Sequence, residues 1–176
     1  FAPATASDLR AILQLSRRHD GPIMIRYPHE IADSRILLPD DLDVERDDLS
    51  RLFSLRKIRS GSDLTVISLG ATLLEVEKAV DLLTEKFSLF SVDFFSCIAA
   101  IPFDFNNMLE SIKRTERLFI VEDGCELGGF GSMIISEAMR SSVEVSVDFA
   151  GIRNRTVSQA TRAELHQDEG LDASGL

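Results

Sequence analysis

The chain has 176 residues, a formal net charge of −10 and 44% hydrophobic residues, which is typical of a globular protein with one good core. The acidic balance argues against a nucleic-acid partner, because backbone binding needs basic patches. No apolar stretch approaches the ~20 residues of a membrane helix, and residues 1–15 do not read as a signal peptide. Cys97 and Cys125 are too few for a disulfide framework and lack metal-ligand spacing, so we expect reduced thiols in a cytoplasmic protein.

The first thirty residues read as one helix followed by one strand. Residues 5–19 carry apolar positions at near-helical spacing, and Thr5 or Ser7 can cap this helix. After a Gly-Pro break, residues 23–27 are predicted to form a short buried strand. Since the chain begins with Phe1 and its first residues read as the end of a strand, we expect a fragment, a cloned piece or a processed subunit.

Residues 31–60 show few periodic apolar positions and are predicted to be a linker with short irregular elements. A repeating βα rhythm follows. The predicted strands cover residues 64–69, 90–95, 117–122 and 143–149, and the predicted helices cover residues 73–83, 105–115, 131–141 and, in the tail, 162–167. This alternation predicts an α/β fold of three layers, in which a mostly parallel mixed sheet of about five strands lies between helices.

A glycine-rich turn joins the strand at residues 117–122 to the next helix. Gly128, Gly129 and Gly131 permit positive φ and close backbone approach, and the first amides of the helix are expected to point outward, unpaired. The turn therefore serves either tight packing of strand and helix or contact with a ligand. Glu122 and Asp123 end the strand at the edge where open α/β sheets place their sites, and paired carboxylates there can do acid–base work.

Three runs together resemble thiamine-diphosphate enzymes of the transketolase superfamily. They are residues 20–28, which end in Arg-Tyr-Pro, residues 121–132 with their Glu-Asp pair and Gly-Gly-Phe-Gly-Ser turn, and residues 170–175. The last run resembles the end of the 1-deoxy-D-xylulose-5-phosphate synthases. The resemblance implies that residues 1–30 are the end of a pyrimidine-binding domain, residues 31–60 a linker and residues 61–176 a transketolase C-terminal domain.

The same resemblance implies a function for the complete enzyme. Such a transferase uses thiamine diphosphate and Mg to move a two-carbon or acyl-carbanion unit from a ketose or 2-oxo acid to an aldehyde, here in isoprenoid precursor biosynthesis. The segments that hold the cofactor and the metal have no counterpart in this chain, so the isolated chain is expected to bind neither and to be inactive. Its partners would be the remaining domains, in the same chain or a companion subunit, within a homodimer.

The resemblance also implies candidate site residues. In the synthases the Arg-Tyr-Pro run continues with Arg-Gly, and that second arginine contacts the substrate phosphate, whereas this chain has His29 and Glu30. Imidazole offers one donor and is mostly neutral near pH 7, and Glu30 adds a repelling charge. Arg26 is either a structural ion-pair partner or a ligand contact. Glu122 and Asp123 are interpreted as residues that fix the glycine loop and contact another domain or subunit.

Two alternative functions remain open at the level of sequence. One is the β subunit of a 2-oxo acid dehydrogenase, whose C-terminal domain is similar. The other is a non-catalytic assembly module, which the Phe1 start and the histidine at position 29 both fit. Residues 151–155 keep only part of the synthase pattern, and His166, in the tail, is given no functional role.

Overall fold

The computed structural model describes residues 1–153 and 155–176. Asn154, which belongs to the partial pattern at residues 151–155, lies outside the described residues. The helices are α1 (Ala6–Ser16), α2 (Leu73–Lys86), α3 (Asn106–Thr115), α4 (Phe130–Arg140) and α5 (Arg162–Glu169). The strands are β1 (Arg56–Arg59), β2 (Leu64–Leu69), β3 (Val92–Cys97), β4 (Arg117–Cys125) and β5 (Ser146–Ile152), and two short 3₁₀ helices cover Leu49–Leu52 and Gly70–Thr72.

The strands form one sheet in the order β1-β3-β2-β4-β5. β2 pairs in parallel with β3 and β4, and β4 pairs in parallel with β5, whereas β1 runs antiparallel to β3 at one edge. Parallel strands joined by helices place those helices on the faces of the sheet. The predicted α/β fold with a mostly parallel mixed sheet is therefore confirmed.

Side chains alternate between the two faces along each central strand, because successive residues of a strand point to opposite sides. Ile67, Phe95 and Ile120 belong to one buried cluster, which they share with residues of α3 and α4. Their neighbours in sequence, such as Val66 and Phe94, belong to a second cluster with residues of α1 and α2. This chain thus covers both faces of its own sheet and holds a complete core.

β1 lies inside the segment that we predicted to be a linker. Its four residues, Arg56–Arg59, are mostly charged and give no apolar pattern. Arg56 instead pairs with buried Asp8 at 2.6 Å, and Lys57 pairs with buried Asp93 at 2.9 Å. These ion pairs hold the edge strand in place and explain why hydrophobic periodicity missed it. The division of the chain into domains stays a prediction.

The predicted buried strand at residues 23–27 is wrong. Residues 20–30, called the strap below, lie outside the sheet and form neither helix nor strand, with Met24 83% and Tyr27 61% exposed. Ile23 and Ile25 are half-buried against the second cluster, which accounts for their apolar character. A short apolar run has the same sequence pattern in a buried strand and in a segment that packs on the surface. A buried strand also needs a neighbouring strand to pair with, and the strap has none among the described residues.

Other elements differ from prediction mainly at their ends. β3 begins and ends two residues later than expected, and β5 begins at Ser146, after a turn in which the Val143 N–H donates to the Ala138 carbonyl oxygen. Thr5 caps α1, in a reciprocal arrangement with Asp8. Among the residues described, no helix combines the length and the apolarity needed to cross a membrane.

β4 extends beyond its central neighbour. β2 pairs with residues Leu118–Val121 of β4, and β4 then continues to Cys125 before the glycine turn and α4. The stretch from Glu122 to Cys125, called the β4 extension below, therefore projects past the carboxyl end of β2. This is the edge at which open α/β sheets place their ligand sites.

Candidate functional site

Two neighbouring cavities flank the β4 extension, and the strap lines both. The first, of about 460 Å³, is lined by Ile23, Met24 and Arg26 of the strap and by Glu122, Gly128 and Gly129, among others. The second, of about 780 Å³, is lined by His29 and Glu30 of the strap together with Asp123, Arg162 and His166, among others. The structure therefore places six of the seven predicted site residues at the two cavities: Arg26, His29, Glu122, Asp123, Gly128 and Gly129.

Glu122 is buried, with 3% of its surface exposed, and it caps α4 from a distance in sequence. Its Oε1 atom accepts a hydrogen bond from the backbone N–H of Gly131 at 2.9 Å. Burial raises the pKa of Glu122, while hydrogen bonds from the amides of Gly131 and Phe130 act in the opposite direction. The expectation that the first amides of this helix are unpaired is therefore wrong for Gly131, because a carboxyl group of the same chain already occupies that position.

Close packing explains two of the three glycines in the turn. A Cβ atom on Gly131 would lie 1.8 Å from the Phe149 ring, and one on Gly129 would lie 2.2 Å from the carbonyl oxygen of Cys125. Gly128 differs, because its φ of +77° lies in the left-handed region and the space around it is open. These distances favour tight packing of strand and helix over contact with a ligand at Gly129 and Gly131.

Asp123 is the centre of an ion-pair cluster that joins three parts of the chain. Arg26 of the strap reaches Asp123 Oδ1 at 2.9 Å and also donates to the Asp123 carbonyl oxygen at 3.1 Å. Arg162 of α5 lies 3.5 Å from Asp123 Oδ2 and pairs with Glu30. The Arg162 guanidinium thus offsets the charge of Glu30, and the effect of Glu30 on a substrate phosphate stays a prediction.

Arg162 and His166 are the site residues that sequence reasoning missed. They lie four residues apart on α5, so they project from the same face of that helix. His166 is only 6% exposed, and burial, followed by the neighbouring Arg162, lowers its pKa. The helix itself carried a usable signal, because Thr161 and Glu164 form a capping box and Gly170 ends it in a left-handed conformation.

The described residues do not fit a thiamine diphosphate–metal site. Among them, no group of three or more His, Cys, Asp or Glu side chains is placed to hold a metal ion. The α4 amide that a phosphate would approach is bonded to Glu122, whose charge would repel an anion. Both cysteines are free thiols, and burial raises the pKa of Cys97 to about 12. The arrangement is thus suited to packing and ion pairing.

Residues 54–176 match the family of the transketolase C-terminal domain. The whole chain is similar to proteins named 1-deoxy-D-xylulose-5-phosphate synthase, with 29% identity to that of Thermomicrobium roseum and 31% to that of Syntrophotalea carbinolica. These alignments cover 100% of this chain but 27% and 26% of the two relatives, so the chain spans about a quarter of their length.

Among solved structures, the chain is similar to one described as a split gene transketolase, inactive beta4 tetramer. The TM-score is 0.78 at 22% identity, and the match covers 99% of this chain and 54% of that one. At this identity the likeness shows a common fold. The family match extends from just before β1 to the end of α5 and beyond, and so includes the whole sheet and the β4 extension. The chain therefore belongs to the transketolase C-terminal domain family.

Proposed function

We propose that this chain is the C-terminal portion of a thiamine-diphosphate-dependent transferase of the 1-deoxy-D-xylulose-5-phosphate synthase type. The observation that carries the proposal is the similarity of the entire chain, strap included, to synthases of which it spans about a quarter. The complete enzyme would transfer a two-carbon or acyl-carbanion unit from a ketose or 2-oxo acid to an aldehyde, for isoprenoid precursor biosynthesis. Bound thiamine diphosphate, with Mg, would supply the carbanion-stabilising chemistry.

This chain's own share would be contact with other domains or subunits and the shaping of the path to the active site. The strap supports this role, because its exposed Met24 and Tyr27 present apolar surface beside the two cavities. We place the complete enzyme in the cytoplasm as a homodimer. A dehydrogenase β subunit is not proposed, since the curated relatives reported above are synthases.

The missing domains can be supplied in trans. We would mix purified residues 1–176 with the Syntrophotalea carbinolica synthase from which the matching C-terminal quarter has been deleted, and follow formation of 1-deoxy-D-xylulose 5-phosphate by mass spectrometry. We expect product from the mixture and none from either part alone. A mixture that forms a stable complex by sedimentation yet makes no product would contradict the synthase reaction and favour an assembly module.

A binding measurement on the isolated chain provides the control. Titration calorimetry with thiamine diphosphate and Mg²⁺ is expected to show no saturable heat for residues 1–176, because Glu122 occupies the α4 amide and the described residues offer no metal-binding group. Saturable binding to the isolated chain would place the cofactor site here and overturn the assignment of roles.

A further inference from the structure

The strap is weakly attached through its backbone. Among the described residues, its backbone hydrogen bonds go to Phe1: the N–H of Arg26 donates to the Phe1 carbonyl at 2.9 Å, and the Phe1 amino group donates to the Met24 carbonyl at 2.7 Å. Backbone without sheet pairing opens readily, because little is lost when it moves. Ile23 and Ile25 pack against the second cluster at the start of the strap, but Arg26 to Glu30, which line both cavities, need a further attachment.

Side chains supply the missing attachment. Arg26 and Glu30 lie on either side of Tyr27-Pro28-His29, and both reach the same cluster. Arg26 contacts Asp123 at 2.9 Å, and Glu30 pairs with Arg162, which itself lies 3.5 Å from Asp123. The segment that carries His29 is thus held at both ends by one acid of β4 and one arginine of α5.

The two central residues are better shielded than their strap partners. The Asp123 and Arg162 side chains are 23% and 22% exposed, against 47% for Arg26 and 38% for Glu30. Partial burial reduces screening by salt and strengthens such pairs relative to exposed ones. Among the described residues, the Nε and Nη2 atoms of Arg162 are buried without a hydrogen-bond partner, so this guanidinium donates its hydrogen bond to Glu30 through Nη1 and contacts Asp123 only as an ion pair.

We propose that Asp123 and Arg162 are positioning residues that fix the strap, and with it the wall shared by the two cavities. Neither needs to touch a substrate: Asp123 holds Arg26 directly, and Arg162 holds Glu30. The position of His29 therefore depends on α5, an element at the other end of the chain. Only the consequence for catalysis rests on the proposed function, because the attachment itself is a property of this chain.

Hydrogen–deuterium exchange of the whole chain tests the attachment. Arg162→Gln removes the charge that holds Glu30 and lies against Asp123. We expect backbone amides of residues 22–30 to exchange about tenfold faster, with β2 and β3 amides within about twofold of wild type. Arg59→Gln is the matched control, because Arg59 of the edge strand β1 pairs with Asp81 of α2, and its loss should leave the strap unchanged.

A second substitution distinguishes loss of the ion-pair cluster from a general loss of stability. Asp123→Asn keeps the side-chain volume and removes the shared acid, so it should reproduce the local effect even where Arg162→Gln fails to fold. The double variant Glu30→Gln/Arg162→Gln should exchange no faster than Arg162→Gln alone, because both remove the same pair. The proposal would be overturned if the strap amides of Arg162→Gln and Asp123→Asn exchanged no faster than those of Arg59→Gln. It would also be overturned if the exchange rates of the sheet amides rose as much as those of the strap.

Steady-state kinetics of the mixture of residues 1–176 with the truncated synthase distinguish a positioning role from a purely structural one. In the active complex, Arg162→Gln should raise substrate KM several-fold while kcat changes little, since the chemistry lies elsewhere and only the shared wall is displaced. A fall in kcat at unchanged KM would contradict a positioning role. Absence of product from the wild-type mixture would instead count against the proposed function and leave the exchange result standing.

Discussion

Glu122 and Asp123 are adjacent in sequence and perform different tasks. Since successive residues of a strand point to opposite faces, Glu122 turns toward α4 and the first cavity, whereas Asp123 turns toward the strap and α5. The sequence presents them as a pair of carboxylates suited to acid–base work. Their side chains instead hold separate partners, and the burial of Glu122 shifts its pKa in the direction that disfavours the charged form.

The raised pKa of Glu122 predicts a dependence of stability on pH. Because its folded pKa lies above the ordinary 4.5, the folded state keeps a proton that the unfolded chain releases as pH rises from 4.5. Stability contributed by this group therefore falls between pH 4.5 and the raised folded pKa. Glu122→Gln keeps an acceptor for the Gly131 amide and does not titrate, so this decline should disappear.

Urea unfolding of both proteins at several pH values between 4.5 and about 7 would measure the effect. Glu122→Ala is the contrasting variant, since it leaves the Gly131 amide without its acceptor and should cost about 1–3 kcal/mol. Parallel pH profiles for wild type and Glu122→Gln would show that another group is responsible.

His29 carries a prediction about the acceptor. If position 29 faces a phosphorylated substrate in the complete enzyme, His29→Arg should strengthen its binding by about 1–3 kcal/mol, because a guanidinium offers a permanent charge and two parallel donors. The acceptor KM of the complementation mixture would fall accordingly, with an unphosphorylated aldehyde as the control substrate. An unchanged KM would show that position 29 does not face the substrate.

At the scale of elements, the glycine turn is a rigid connection. Gly129 lies against the backbone of Cys125 and the carboxyl group of Glu122, whereas Gly128 is surrounded by open space. Position 129 thus has no room for a side chain, whereas position 128 requires only a left-handed backbone conformation. This contrast allows packing and conformation to be tested separately.

Gly129→Ala should destabilise the chain by about 1–3 kcal/mol, because its Cβ would lie 2.2 Å from a backbone oxygen that cannot rotate away. Gly128→Asn is the matched substitution, since Asn tolerates positive φ and its Cβ atom would meet no neighbour within 4 Å. Thermal unfolding followed by circular dichroism would compare them. Equal losses of stability would mean that backbone conformation, and not packing, decides both positions.

The elements that sequence predicted well are those with strong local patterns. β2 is apolar enough to be identified alone, and α2, α3 and α4 follow apolar periodicity. The ion-pair cluster was not predictable in this way, because Arg26 and Asp123 are 97 residues apart and Glu30 and Arg162 are 132 apart. Periodicity reports which face of an element is apolar, and it carries no information about which distant charges will meet.

At the scale of the molecule, the centre of the core and the site lie in different places. Both hydrophobic clusters pack against the sheet, whereas the strap lies outside the sheet and meets the second cluster through half-buried Ile23 and Ile25. The chain can therefore be a stable unit while the wall of its cavities remains easily moved. In the synthases named above, about three-quarters of the sequence lies outside the region that matches this chain.

Tyr27 provides an internal probe of this separation. It is the single tyrosine, the chain has no tryptophan, and it lies on the strap, 61% exposed. We expect tyrosine fluorescence anisotropy to fall at a lower urea concentration than the far-ultraviolet circular dichroism signal, because the strap is released before the sheet unfolds. Coincident transitions would mean that strap and sheet unfold as one unit.

The β4 extension has a consequence for how such proteins diversify. Its residues lie past the pairing of β4 with β2, so exchanging them leaves the hydrogen bonds between these central strands intact. Glu122 and Asp123, the two side chains that organise both cavities, lie on this stretch. Asp123 is half-buried and, within the described part of the chain, accepts no hydrogen bond from α4, so a substitution there alters what the cavity walls hold while the inherited sheet keeps its pairing. Within this chain, evolutionary novelty would arise most readily at Asp123, where a substitution leaves the Gly131 amide with its acceptor.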